Sequence, residues 1–258
     1  MKKQFKNFKN EIKAKKGSFT VYVILRMIVL LILIRSFFRA DYEGMFYCVL
    51  TLILFFLPSL LAKRFKIELP SALESIIFIF IFSAEILGEL NSAYITIPHF
   101  DTALHTVNGF ICAAFGFALV DMLNRGGQKI SLSPLYLCIV AFCFSMTIGV
   151  LWEFFEFFMD TVFARDMQKD TVISVIRSVK LHPEGKNIPV ALDGITSVTV
   201  NGRELGLGGY LDIGLYDTMK DLLVNFVGAV VFCFIGYFSL KGRKSQVVEG
   251  LVPKTVDN

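Results

Sequence analysis

Six apolar stretches of about twenty residues each leave this chain one class of fold. A run of that length crosses the hydrocarbon core of a bilayer as a helix. Inside lipid, only helices and closed barrels satisfy every backbone N–H and C=O. The runs cover residues 19–38, 44–63, 70–90, 101–123, 137–161 and 216–240. They are too long and too uniformly apolar for barrel strands. The expected fold is therefore all-α: a polytopic helical membrane protein with about six transmembrane spans and a small outer hairpin loop. Composition agrees. The 258 residues are 55% hydrophobic and the mean hydropathy is +0.63, against roughly 45–50% apolar residues in soluble domains. No room is left for a large soluble domain.

Charge sets the topology. The opening "MKKQFKNFKNEIKAKK" holds seven Lys and one Glu. The run after it is too long for a signal peptide's apolar region and has no small-x-small cleavage site. It reads as an uncleaved first span behind a basic arm, residues 1–18. Lys63, Arg64 and Lys66 follow span two, Arg125 and Lys129 follow span four, and Lys241, Arg243 and Lys244 follow span six. With alternating spans these fall on one side, which the positive-inside rule makes cytoplasmic. Arg35 and Arg39 dissent, offset by Asp41 and Glu43. The expected organisation is a cytoplasmic arm (1–18), a membrane domain (19–240) and a cytoplasmic tail (241–258), in a bacterial cytoplasmic membrane. The net charge of +4 sits mainly at the ends. It suits anionic headgroups and argues against nucleic acid. The outward connections are 39–43, 91–100 and 162–215. The last contains "SVTVNGREL", whose Asn201-Gly202 is a two-residue hairpin signal. The five cysteines (48, 112, 138, 143 and 233) all lie in apolar runs without a C-x-x-C pair, and read as small hydrophobes.

The spans are not purely apolar. "LWEFFEFFMD" in span five carries Glu153, Glu156 and Asp160. At 100° per residue these share an arc of about 60°. Span four places Asp101, His105 and Asn108 on a similar arc of about 60°, and span six places Asp217, Asp221 and Asn225 within about 80°. Glu85 and Glu89 are four apart in span three. With a rise of about 1.5 Å per residue, every stripe lies within roughly 13 Å of the outer end of its helix. The stripes converge on the outer leaflet although they occupy opposite ends of their segments.

Charges in hydrocarbon are costly, so an acid excess there is protonated, binds a cation, or faces a cationic substrate. The oxygen and imidazole donors suit Mg²⁺, Mn²⁺, Fe²⁺ or a carboxylate-rich Zn²⁺ site and disfavour thiolate chemistry. The candidate divalent-metal ligands are His105, Glu153, Glu156, Asp217 and Asp221. Glu153 and Glu156 are the candidate catalytic bases, and Asn108, Asn225 and Asp101 the candidate substrate contacts. Ordinary roles compete for several of these. Asp101 and Asp217 also fit helix N-caps, Glu89 and Asp160 fit solvated helix ends, His99 and His182 fit loops, and Trp152 fits a packing residue.

"HTVNGF", "GVLWEFFEFFMD" and "YDTMKDLLVNFVGA" together resemble the bacterial membrane proteins of the YjdF-like group, which are similar to the broader VanZ-like family linked to glycopeptide resistance. The resemblance covers roughly residues 80–240 and departs at the long insert before span six. It implies functional roles for His105, Glu153, Glu156, Asp217, Asp221, Asn225 and Gly228, and it implies no particular reaction.

Three functions fit these residues. One is a divalent-metal-dependent hydrolase or transferase acting on a membrane lipid or lipid-linked envelope precursor. The second is a non-catalytic envelope or resistance factor binding a lipid-linked ligand. The third is a proton- or cation-coupled transporter, against which the nearly apolar inner halves of the spans count.

Overall fold

The computed structural model describes residues 16–125, 132–242 and 250–255. Most of the basic arm, Lys129, Arg243, Lys244 and much of the tail lie outside them. The chain is mostly helical, at 69%. Six helical stretches are long and apolar enough to cross a membrane: Gly17–Phe38, Tyr42–Phe65, Ser71–Leu90, Phe100–Leu123, Pro134–Phe163 and Leu215–Leu240. Contacts group residues 1–149 with 222–258 in one unit and 150–221 in another.

In the first unit, α1 is Lys16–Phe38. Span two is two helices, α2 (Tyr42–Leu54) and α3 (Leu57–Phe65). The sequence reads as one continuous helix here, and Pro58 at the start of α3 explains the interruption. Its ring displaces the carbonyl four residues back and it has no N–H to donate. Asp41 closes the start of α2 by accepting from Gly44 N at 2.9 Å. Span three begins as α4 (Ser71–Phe82) and continues as a π-helix over Ser83–Leu90. Asn91 ends that segment, donating from both its backbone N–H and its side-chain amide to the Ile86 carbonyl. A short α5 (Ala93–Thr96) leads into α6 (Phe100–Arg125), followed by α7 (Pro134–Phe163) and α8 (Leu215–Leu240), of which residues 134–149 and 222–240 belong to this unit.

The core of this unit is apolar and interhelical. Phe55, Leu73, Ile77, Phe78, Ala113, Ala114, Phe117, Ala141, Ala229 and Phe232 are all buried. Phe232 meets Phe110 and Phe117 edge-on, with ring centroids 5.2 and 5.8 Å apart. Cys138 and Cys233 each donate a thiol to the other's backbone carbonyl, at 3.3 and 3.2 Å, across α7 and α8. All five cysteines are free thiols. Outward-facing Leu, Ile and Phe remain exposed on the helices, as expected of surfaces solvated by lipid rather than water.

The chain end is not a loose tail over its described part. Lys254–Thr255 pairs antiparallel with β1 (Ile67–Glu68), Ile67 opposite Thr255. Val252 is buried in the same core as Ile67 and Leu69.

The second unit holds the long connection between α7 and α8. It carries three antiparallel strand pairs where a single hairpin was expected. β2 (Thr171–Ile173) pairs with β7 (Tyr210–Asp212), β3 (Ile176–Ser178) with β4 (Val190–Leu192), and β5 (Thr199–Val200) with β6 (Arg203–Glu204). The turn between β5 and β6 is Asn201-Gly202, with φ of 51° and 78°. Two successive positive φ values define the tight turn that matches strand twist. Asp160, at the end of α7, accepts from Met167 N at 2.6 Å and Gln168 N at 2.9 Å. That stripe member fastens the connection to its helix. Asp170 beside it titrates high. Burial and the neighbouring Asp166, Asp212 and Asp160 push its carboxyl above the ordinary range, with Lys169 opposing.

Candidate functional site

The site is built where α6 and α8 approach too closely for any side chain but glycine. A Cβ on Gly228 would sit 1.9 Å from the Thr106 carbonyl oxygen, and one on Gly109 would sit 2.1 Å from that of Asn225. Small residues let membrane helices meet backbone to backbone, where dispersion and polar contacts replace the missing hydrophobic drive. α7 joins the same crossing. Ser145 Oγ donates to the Gly109 carbonyl at 2.8 Å, and a Cβ on Gly149 would lie 2.8 Å from the Asn225 amide nitrogen.

Asn225 is the polar centre of this crossing, 1% exposed. Its Oδ1 accepts from Asn108 Nδ2 at 3.4 Å, and its Nδ2 donates to the Ser145 carbonyl at 3.5 Å. These long bonds tie one side chain to α6 and α7. Asn108 and Asn225, both candidate substrate contacts, are thus used at least partly to hold helices together.

One turn from that crossing the polarity becomes ionic. His105 Nε2 lies 3.4 Å from Asp101 Oδ1, four residues earlier on α6. α8 is an unbroken helix, so Asp221 stands one turn before Asn225. One ligand atom from each of Asp101, His105 and Asp221 lies within 4.8 Å of the others. Among the described residues this is the group with metal-ligand composition and spacing. Two carboxylates and an imidazole are the donor set of hard-to-borderline divalent ions, and three protein donors leave coordination positions for water or substrate.

The other candidates are placed differently. Glu153 and Glu156 are both buried, at 5% and 7% exposure. The Trp152 indole N–H donates to Glu156 Oε1 at 2.8 Å, so Trp152 does more than pack. Asp217 accepts from the Lys169 backbone N–H at 2.7 Å and faces Lys220 Nζ at 3.6 Å. Lys220 also lies 3.9 Å from Asp221. Glu153, Glu156 and Asp217 are not members of the three-residue group, whereas Asp101, read as a substrate contact, is. Glu85 and Glu89 ride the π-helical segment, and Glu89 accepts from the Tyr47 hydroxyl at 3.3 Å.

Gly109, Ser145 and Gly149 join the crossing although none of them carries a charge. Their signal was present: Ser145 and Gly149 are a small-xxx-small pair, and Gly109 follows Asn108 inside an apolar run.

Six apolar helices with buried ionisable residues define an integral membrane protein. Over residues 21–242 the chain matches the family described as Predicted membrane protein (DUF2238). It belongs to that family, which is also that of the YjdF-like proteins. No curated protein and no solved structure matches the chain.

Proposed function

We propose that this protein is a divalent-metal-dependent hydrolase or transferase acting on a lipid or lipid-linked envelope precursor in a bacterial cytoplasmic membrane. The observation that carries the reading is the Asp101–His105–Asp221 group. Its donors fit Mg²⁺, Mn²⁺, Fe²⁺ or Zn²⁺. A bound ion would polarise a substrate oxygen or lower the pKa of a water. The protein's own residues do the rest. Asp101 and His105, 3.4 Å apart on one face of α6, and Asp221 would hold the ion. Asn225 and the glycine crossing fix α6 and α8 so that Asp221 keeps its place. Glu153 and Glu156, buried carboxylates of α7 with Glu156 held by the Trp152 indole N–H, are the candidate general bases by residue type.

Topology completes the proposal. With both termini cytoplasmic, the acidic ends of spans four, five and six lie in the outer leaflet, where lipid-linked precursors present their headgroups. The resemblance of the YjdF-like group to VanZ-like proteins, read from His105, Glu153, Glu156, Asp217, Asp221, Asn225 and Gly228, favours an envelope substrate.

The competing reading is a binding factor without chemistry. Proteoliposomes holding a phosphate-linked polyprenyl lipid and Mn²⁺ separate the two. Our reading predicts headgroup release that a chelator abolishes and that Glu153→Gln slows by about 10²–10⁴-fold, the usual contribution of a positioned base. Saturable lipid binding with no release by the wild type would instead identify a binding factor.

A further inference from the structure

The connection between α7 and α8 is a folded piece without a core of its own. Over residues 164–214 only Gly209, Asp212 and Gly214 are buried, so no large apolar side chain is covered. Ile188, Leu192, Val200, Leu207, Tyr210 and Ile213 are exposed instead. Its charges balance: Arg165, Lys169, Arg177, Lys180, Lys186 and Arg203 face Asp166, Asp170, Glu184, Asp193, Glu204 and Asp212. A neutral, apolar surface has no preference for an anionic membrane or a strongly charged partner, and zero net charge favours self-association.

One edge is specific. β4 is Val190-Ala191-Leu192, uncharged, paired on one side to β3 within a two-stranded sheet. Its other edge has no strand partner among the described residues. Ala191 is exposed, Leu192 is 49% exposed and nearby Ile188 is 55% exposed. An apolar edge strand without charges is a template for another strand. Leu192 also borders a hollow of about 490 Å³ lined by Ile176, Ile195 and Tyr210.

We propose that β4 pairs with β4 of a second copy of this chain, antiparallel about a two-fold axis, giving a four-stranded sheet β3–β4–β4–β3. Placing the axis at the middle residue of β4 pairs all three of its residues and sets the register. Ala191 meets itself on the axis and Val190 lies opposite Leu192 of the second copy. Pro189 falls opposite Asp193 and Lys186 opposite Thr196, so no like charges meet. Pro189, which lacks an N–H, ends the ladder, so the contact closes at a dimer and does not grow into a fibre. Copies sharing a bilayer carry this connection on the same side, which brings the edges to the same level.

Site-directed cross-linking of the full-length protein in native membranes tests this. Cα atoms of directly opposed residues stand about 4.5–5.5 Å apart, within disulfide reach. In a Cys143→Ser background, Ala191→Cys should form a disulfide-linked dimer on mild oxidation, and Asn201→Cys at the β5–β6 turn should not. Adding Leu192→Lys should lower the Ala191→Cys dimer by about tenfold, because two-fold symmetry counts each substitution twice. Equal cross-linking at 191 and 201, an Ala191→Cys product with another protein, or a dimer indifferent to Leu192→Lys would each overturn the proposal.

Discussion

At the scale of single residues, this protein spends glycine and asparagine where a soluble protein would spend bulk. Gly228 and Gly109 let two helices touch through their backbones, and Asn225 supplies the hydrogen bonds that lipid cannot. Gly228→Ala tests the claim. The Thr106 carbonyl belongs to a helix backbone and cannot swing aside. The substitution should therefore cost about 1–3 kcal/mol of overpacking, more than the roughly 1 kcal/mol of helix propensity alanine returns. A thermal melt in detergent reads the difference, and an unchanged or raised melting temperature would show that the crossing is looser than described. Much of this scale was legible beforehand. Helical phase put Asp101, His105 and Asn108 on one face, and Asp217, Asp221 and Asn225 on another. It did not show which members meet, because phase within a helix says nothing about the distance to its neighbour. By phase and depth Asp101 reads as a substrate contact and Asp217 as a metal ligand; the close group contains Asp101, and Asp217 accepts from the Lys169 N–H.

At the scale of elements, the departures from regular helix are local and mostly caused by identifiable residues. Pro58 splits span two, a break that its type alone announces. The π-helical segment carrying Glu85 and Glu89 has no comparable signal, since a change in hydrogen-bond register leaves the apolar pattern nearly unaltered. Nor does "KT" at 254–255 carry strand character; its pairing with Ile67-Glu68 is a tertiary effect. Removing residues 250–258 should uncover Ile67 and Leu69 and forfeit the burial of Val252. The expected cost is about 2 kcal/mol, seen as a lower melting temperature. An identical melt would mean that the strand pair contributes nothing. The connection 164–214 makes a pH prediction. The carboxyl of Asp170 is raised in the folded state, so its contribution favours folding below the ordinary carboxylate range and fades as pH rises through the raised value. Asp170→Asn should therefore melt at or above wild type at pH 7 and converge with it near pH 3, at about or below the usual aspartate value. A variant less stable than wild type at pH 7 would contradict that sign.

At the scale of the whole molecule, membrane character follows from length and hydropathy alone, because few architectures can bury six such runs. Function is less legible: the acids that betray a site do not name what they bind. We propose that Asp101, His105 and Asp221 together hold a divalent cation. Mn²⁺ titration of the purified full-length protein, followed by calorimetry, tests it most directly. One ion should bind per chain, and binding should raise stability by about 2.7 kcal/mol when free metal is a hundred times the dissociation constant. His105→Ala and Asp221→Asn should each abolish both effects while leaving the unliganded melt near that of wild type. No saturable binding by the wild type, or binding that survives His105→Ala unchanged, would contradict it.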